Sequence, residues 1–191
     1  MAQQPEIRIT DLTLDLAPSE DPSLPLQPVV TGARLRLDEA ALVKLAQVAI
    51  AQAKGRAPVD VELDSARFTD GGAEINAVVS RGRFMRADVR AVVGVSAQNA
   101  ERITVEVQDV KALGMLPLDA FVTPVLEKAF AMASAKPGIA RASGNARALL
   151  VDPAAVLAGM GVPMRFAAPG VWSIQVAPGG LEAEFSAGAR E

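Results

Sequence analysis

Residues 59–107, VDVELDSARFTDGGAEINAVVSRGRFMRADVRAVVGVSAQNAERITVEV, decide the fold. Val59, Val61 and Leu63 alternate with Asp60, Glu62 and Asp64. Asp70-Gly71-Gly72 is a hairpin signal. Ile75, Ala77 and Val79 then alternate with polar neighbours, Val78 excepted. Ser80 to Arg83 turns the chain again. Ala87, Val89, Ala91, Val93 and Val95 form a long alternating run against Arg86, Asp88 and Arg90, and Ala97 to Ala100 turns it once more before Ile103, Val105 and Val107. A side-chain period of two, broken only at turns, predicts a four-strand antiparallel meander with one apolar face. Val61, Leu63, Ile75, Ala77, Val89, Ala91, Val105 and Val107 are expected to face inward.

On the N-terminal side, a strand is expected from about Glu6 to Leu16. Residues 17–28, rich in proline, read as an exposed loop because proline blocks helix and ladder alike. A second strand follows, from about Val29 to Leu37. Asp38 then stands where an N-cap belongs, and the helix it opens carries Leu42, Leu45, Ala46, Ala49, Ile50 and Ala53 on one stripe, closed by Gly55. Beyond the meander, a long helix is expected from near Pro117 to Lys136-Pro137-Gly138. Leu118, Val122, Val125, Leu126, Ala129, Phe130 and Ala133 share one wide stripe, and Pro124 kinks the helix or marks a late start. A short strand over Ala146 to Val151, a short helix opened by Asp152-Pro153 and a hairpin turning at Ala177 to Gly180 complete the chain. Sequential hairpins with few helices argue for an α+β domain spanning all 191 residues. The apolar sheet face needs cover, and the two amphipathic helices are its candidates.

Composition narrows the chemistry. The chain has no His, no Cys and no Tyr, which removes imidazole bases, His-containing triads, His- or thiolate-bound zinc and thiol nucleophiles. Ser and Thr have no neighbouring base to activate them. Asp60, Glu62 and Asp64 share a strand face but lack the glycine turn of a calcium loop, so they read as a solvated face. Asp119 and Glu127 are not placed as a catalytic pair, and the paired glycines do not fit a phosphate-cradling loop. The expectation is a non-enzyme without metal or cofactor. With 19 basic and 22 acidic residues the net charge is −3, without the positive surface that nucleic-acid binding needs. No apolar run is long enough to span a membrane as a helix. Residues 1–15 show no secretory pattern, so the expected compartment is the cytoplasm, or the periplasm or cell envelope if a signal has been removed.

Two features remain. Half the residues are hydrophobic but only 4% aromatic, so the facing surfaces are mostly Ala and Val, and small side chains on a curved sheet leave room for an acyl chain. The expected groove residues are Leu42, Leu45 and Ile50 on the first helix and Leu118, Val122, Val125, Leu126 and Phe130 on the second. The second feature is the hairpin tip Arg81-Gly82-Arg83-Phe84-Met85-Arg86. Arg81, Arg83 and Arg86 suit lipid phosphates, and Phe84 and Met85 suit the acyl boundary. The competing reading is a charged turn with Phe84 folded back into the core.

The helix Leu37 to Ala53 entering a meander, the passage Leu113 to Phe130, and the hairpin Val176-Ala177-Pro178-Gly179-Gly180-Leu181-Glu182-Ala183 together resemble the LmeA-type bacterial phospholipid-binding proteins of the tubular lipid-binding superfamily. The resemblance spans about Val30 to Ala187 and rests on apolar spacing and turns. It implies a strongly curved antiparallel sheet wrapped around a long amphipathic helix, with a lipid-accepting groove between them, a second helix and a C-terminal β-hairpin. It carries over no catalytic residue. The expected function is binding or transfer of lipid or another long apolar ligand, with transient membrane contact and a possible homodimer. The alternative is a scaffold or adaptor whose groove is filled by its own side chains or by a partner protein.

Overall fold

The computed structural model describes residues 7–19, 25–54, 59–82, 85–97, 99, 101–113 and 118–188, and the side chains of all of these except 7, 52, 53, 85, 113 and 118–125. Strands β1 (Ile7–Pro18) and β2 (Leu26–Asp38) pair antiparallel from Ile7 opposite Leu37 to Pro18 opposite Leu26. The proline-rich loop is thus shorter than 17–28. Prolines 18 and 28 sit inside the ribbon, and residues 20–24 lie outside the described residues. Helix α1 (Glu39–Ala53) begins where expected, because the Asp38 carboxylate accepts the Ala41 backbone N–H at 2.7 Å. Gly55, expected to close it, lies outside the described residues.

The meander forms as β3 (Asp60–Thr69), β4 (Gly72–Arg81), β5 (Met85–Ala97) and β6 (Ile103–Leu113), each antiparallel to the next. Gly72 turns it with φ +131°, and a Cβ there would lie 2.5 Å from the Val93 carbonyl oxygen. The eight residues expected inward share one face. Val107 is buried and the other seven are half-buried. Alternation is not strict, however. An extra residue at Asp64 breaks the register between Leu63 and Ser65 and moves the inward set from odd to even numbers. Ala66 and Phe68 therefore enter the core, at 7% and 3% exposure.

After β6 come α2 (Leu118–Ser134), β7 (Ile139–Arg141), β8 (Ala148–Val151), α3 (Pro153–Gly159), β9 (Arg165–Phe166), β10 (Gly170–Ala177) and β11 (Gly180–Ala187). Helix α2 runs unbroken through Pro124, and Asp152 caps α3 by accepting the Ala155 N–H at 3.0 Å. The strands divide into two sheets. One has the order β3-β4-β5-β6-β8-β7. The other has the order β1-β2-β11-β10, with β9 parallel to β2 at Val29 and Val30.

This arrangement corrects the expected architecture. The described chain is mostly β, in two antiparallel-based sheets with three short helices among the described residues, rather than one curved sheet wrapped around a long helix. The apolar face of the meander does need cover, but most of that cover is the second sheet. Leu35 and Leu37 of β2, Trp172, Ile174 and Val176 of β10, and Leu181 and Ala183 of β11 pack with Ala66, Phe68, Ala73 and Leu42 in one core. The described side chains of α2 cover the β6-β8-β7 end of the same face, where Phe130 meets Val107 and Leu149, and Val93 borders both clusters. The C-terminal hairpin forms as expected. Its register places Ala183 beside Leu35, so it extends the β1–β2 ribbon instead of the meander.

Candidate functional site

A recess of about 690 Å³ lies where α1, α2 and the open end of the β3-β4-β5 hairpins meet. From α1 and its C-cap it takes Gln47, Ile50, Ala51 and Lys54, a spacing of three and four that makes one helical stripe. The opening turns of α1 turn another side inward, with Leu42 in the intersheet core and Ala41 buried. Helix α2 divides in the same way. Leu126, Phe130 and Ala133 pack on the sheet, whereas Lys128, Ala129 and Met132 line the recess. Val59 and the first four residues of β3, 60–63, contribute, and the β4–β5 hairpin contributes Val78, Ser80, Gly82 and Arg86.

The recess has an aliphatic wall and a charged mouth. Ile50, Val59, Val61, Leu63 and Met132 supply the wall. Lys54, Arg86 and Lys128 supply three cations, with Asp60 and Glu62 on the same rim. Among the described residues none of the three cations has a carboxylate within salt-bridge reach. The volume falls within the roughly 300–1,000 Å³ of small-molecule sites, which combine apolar walls with a few orienting polar groups. Among the described residues no group of three metal-binding side chains comes together, and no helix is long and apolar enough to cross a membrane.

The expected groove residues are dispersed. Ile50 lines the recess. Leu42 is buried in the intersheet core and Phe130 in the α2 cluster, with Leu126 half-buried beside it. Leu45 is 46% exposed and faces away from the intersheet core. The side chains of Leu118, Val122 and Val125 lie outside the described residues. Of the tip, Arg81 and Arg86 are exposed, Arg83 and Phe84 lie outside the described residues, and so does the side chain of Met85. Gly82 and Arg86 of the tip belong to the lining of the recess. Sequence reasoning missed Gln47, Ala51, Lys54, Lys128 and Met132. They sit on the helices beside the apolar stripes, and their i, i+3, i+4 spacing was the available signal.

A second feature is structural. Glu74 is 2% exposed on β4, where alternation reads it as a solvated residue. Arg67, Arg90 and Asn76 surround its carboxylate. Burial pushes the carboxyl up, but hydrogen bonds from Asn76 and Arg67 and the charges of Arg67 and Arg90 outweigh it, so it ionises below its ordinary value. Comparison with protein-family models, with curated proteins and with solved structures finds no match for this chain.

Proposed function

We propose that this protein binds a long apolar ligand of the acyl-chain kind in the recess between α1, α2 and the β3-β4-β5 hairpins, without a catalytic step. The observation that carries the reading is the recess itself: about 690 Å³, aliphatic inside, with Lys54, Arg86 and Lys128 around it, none of them in a salt bridge among the described residues. An apolar chain entering such a space gains roughly 25 cal/mol for each Å² it removes from water, and the rim cations suit an anionic head. The reading stands on this geometry and not on the likeness to LmeA-type proteins, whose single curved sheet this chain does not have. The exposed Arg81 and Arg86 at the tip put positive charge beside the mouth, which favours approach to an anionic lipid surface.

Mass spectrometry of organic extracts of the purified protein, with displacement of a fluorescent long-chain fatty acid, tests the reading. Ala129→Trp fills the recess from an exposed helical position. It is expected to weaken probe uptake about tenfold or more, equivalent to about 1.4 kcal/mol, while leaving thermal stability unchanged. A protein that yields no extractable ligand and takes up no probe overturns the proposal, as does an Ala129→Trp variant that binds the probe as well as wild type.

A further inference from the structure

The β1–β2 ribbon carries an apolar face that the rest of the fold leaves open. Ile9, Leu12, Leu14 and Leu16 lie on one side of β1, opposite Leu35, Ala33, Val30 and Pro28 of β2. Two strands further on, the same face of the sheet packs through Leu181 and Ala183 into the intersheet core. At β1 the cover ends. Ile9 is 62% exposed, Leu12 50%, Leu14 45%, Leu16 69%, and Leu26 beside them 53%. Monomers seldom leave a contiguous apolar patch larger than a few hundred Å² without using it.

We propose that this face is the interface of a homodimer, in which a second copy lays its own β1–β2 ribbon face to face across a two-fold axis. An aliphatic strand face packs on another aliphatic strand face, and a two-fold axis brings the patch against itself, so no other surface is needed. Pairing through the free edge of β1 is the poorer solution. The register breaks between Ile9 and Asp11 and between Thr13 and Leu14, which twists the edge but leaves Leu12, Leu14 and Leu16 on one face. Charge separates this occupant from a bilayer. The opposite side of the ribbon carries both signs, Asp11 and Asp15 of β1 beside Arg8 of β1 and Arg34 and Arg36 of β2, with Arg34 paired to Glu182 and Glu184, whereas an anionic membrane is held by clustered, unopposed cations. Size sets the strength. A 12-residue strand is about 40 Å long and the ribbon about 10 Å wide, so two copies cover on the order of 800 Å² in plan. That lies at the weak end of specific association, and the dimer dissociates on dilution.

Analytical ultracentrifugation of the full chain, from micromolar to near-millimolar concentration, tests this. The mass is expected to rise with concentration from the 19.8 kDa of one chain towards twice that value. Leu14→Lys and Leu16→Lys are each expected to hold the protein monomeric throughout with an unchanged circular dichroism spectrum. Leu16 is the more exposed of the two, so it carries the test if Leu14→Lys misfolds. Val171→Lys, at a 61% exposed position on the far edge strand of the same sheet, is expected to self-associate like wild type. A wild type that stays monomeric at every concentration, one that binds lipid vesicles as a monomer through this face so that Leu16→Lys abolishes the binding, or leucine variants that dimerise unchanged would each overturn the proposal.

Discussion

Arg67 and Glu74 stand directly opposite each other across the β3–β4 hairpin, and the guanidinium Nε and Nη2 both donate to one carboxylate oxygen of Glu74, at 3.1 and 2.7 Å. Asn76 Nδ2 donates to the same oxygen at 3.2 Å, and Arg90 of β5 holds the other. Three strands of the meander are thus tied at one buried carboxylate. Both arginine side chains stay about half exposed or more, at 60% and 48%. Removing the carboxylate therefore lets them rehydrate, which moderates the cost of breaking a buried pair.

Glu74→Gln is accordingly expected to destabilise the fold by about 1–3 kcal/mol at neutral pH, read by urea denaturation. A variant as stable as wild type would mean the three-strand tie contributes nothing.

The same carboxylate sets a pH dependence. Its folded value lies below the unfolded one, so its contribution is complete above the unfolded value, about 4.3, and is lost as pH falls through the lowered folded value. The stability gap between wild type and Glu74→Gln is therefore expected to stay constant from pH 7 to about 5 and to close in more acid solution. Denaturation curves at stepped pH measure it, and a gap that widens on acidification contradicts the sign.

Phe130 is 7% exposed where α2 meets Val107 and Leu149. Phe130→Ala removes the largest apolar contact holding the described part of that helix to the sheet. The expected cost is about 3–5 kcal/mol, with weaker probe uptake because Lys128, Ala129 and Met132 ride on the same helix. Equilibrium unfolding and the displacement assay read the two effects separately.

Gly170 faces the ring of Phe185. A Cβ there would lie 2.5 Å from Phe185 Cζ and 2.6 Å from the Ala167 carbonyl oxygen. Phe185 is 1% exposed, and its ring packs against Phe166 and Trp172 at centroid distances of 4.9 and 5.2 Å. Gly170→Ala is expected to cost about 1–3 kcal/mol through overpacking. Trp172, the one tryptophan in the chain, reports the shift directly in its fluorescence.

Asp38 supplies a smaller test. Its carboxylate accepts the Ala41 N–H at 2.7 Å as the chain turns from β2 into α1. Asp38→Ala is expected to lower stability by about 1 kcal/mol, visible as a shifted denaturation midpoint at constant slope.

Local chemistry was readable directly. Asp38 and Asp152 mark helix starts because a carboxylate before a first turn satisfies a free N–H. Asp70-Gly71-Gly72 marks a hairpin, and Gly72 is needed where φ is +131°. The alternation of Ile75, Ala77, Val89 and Ala91 fixed one face of the meander, since a strand's side-chain period is two. What covers that face was not readable, because alternation records that a surface is apolar and not which segment lies on it. The cover comes from β2, β10 and β11, and β11 reaches β2 from the far end of the chain, with Phe185 opposite Ala33. Only long-range register decides such a pairing. The extra residue at Asp64 likewise sends Phe68 inward for a reason no periodic reading contains. The recess follows the same division. The sequence by itself determined that α1 and α2 are amphipathic. Only the tertiary structure decided that Leu42 and Phe130 face the cores while Ile50, Lys54 and Lys128 are left around an open space, because a helix carries several faces and its neighbours choose which one is buried.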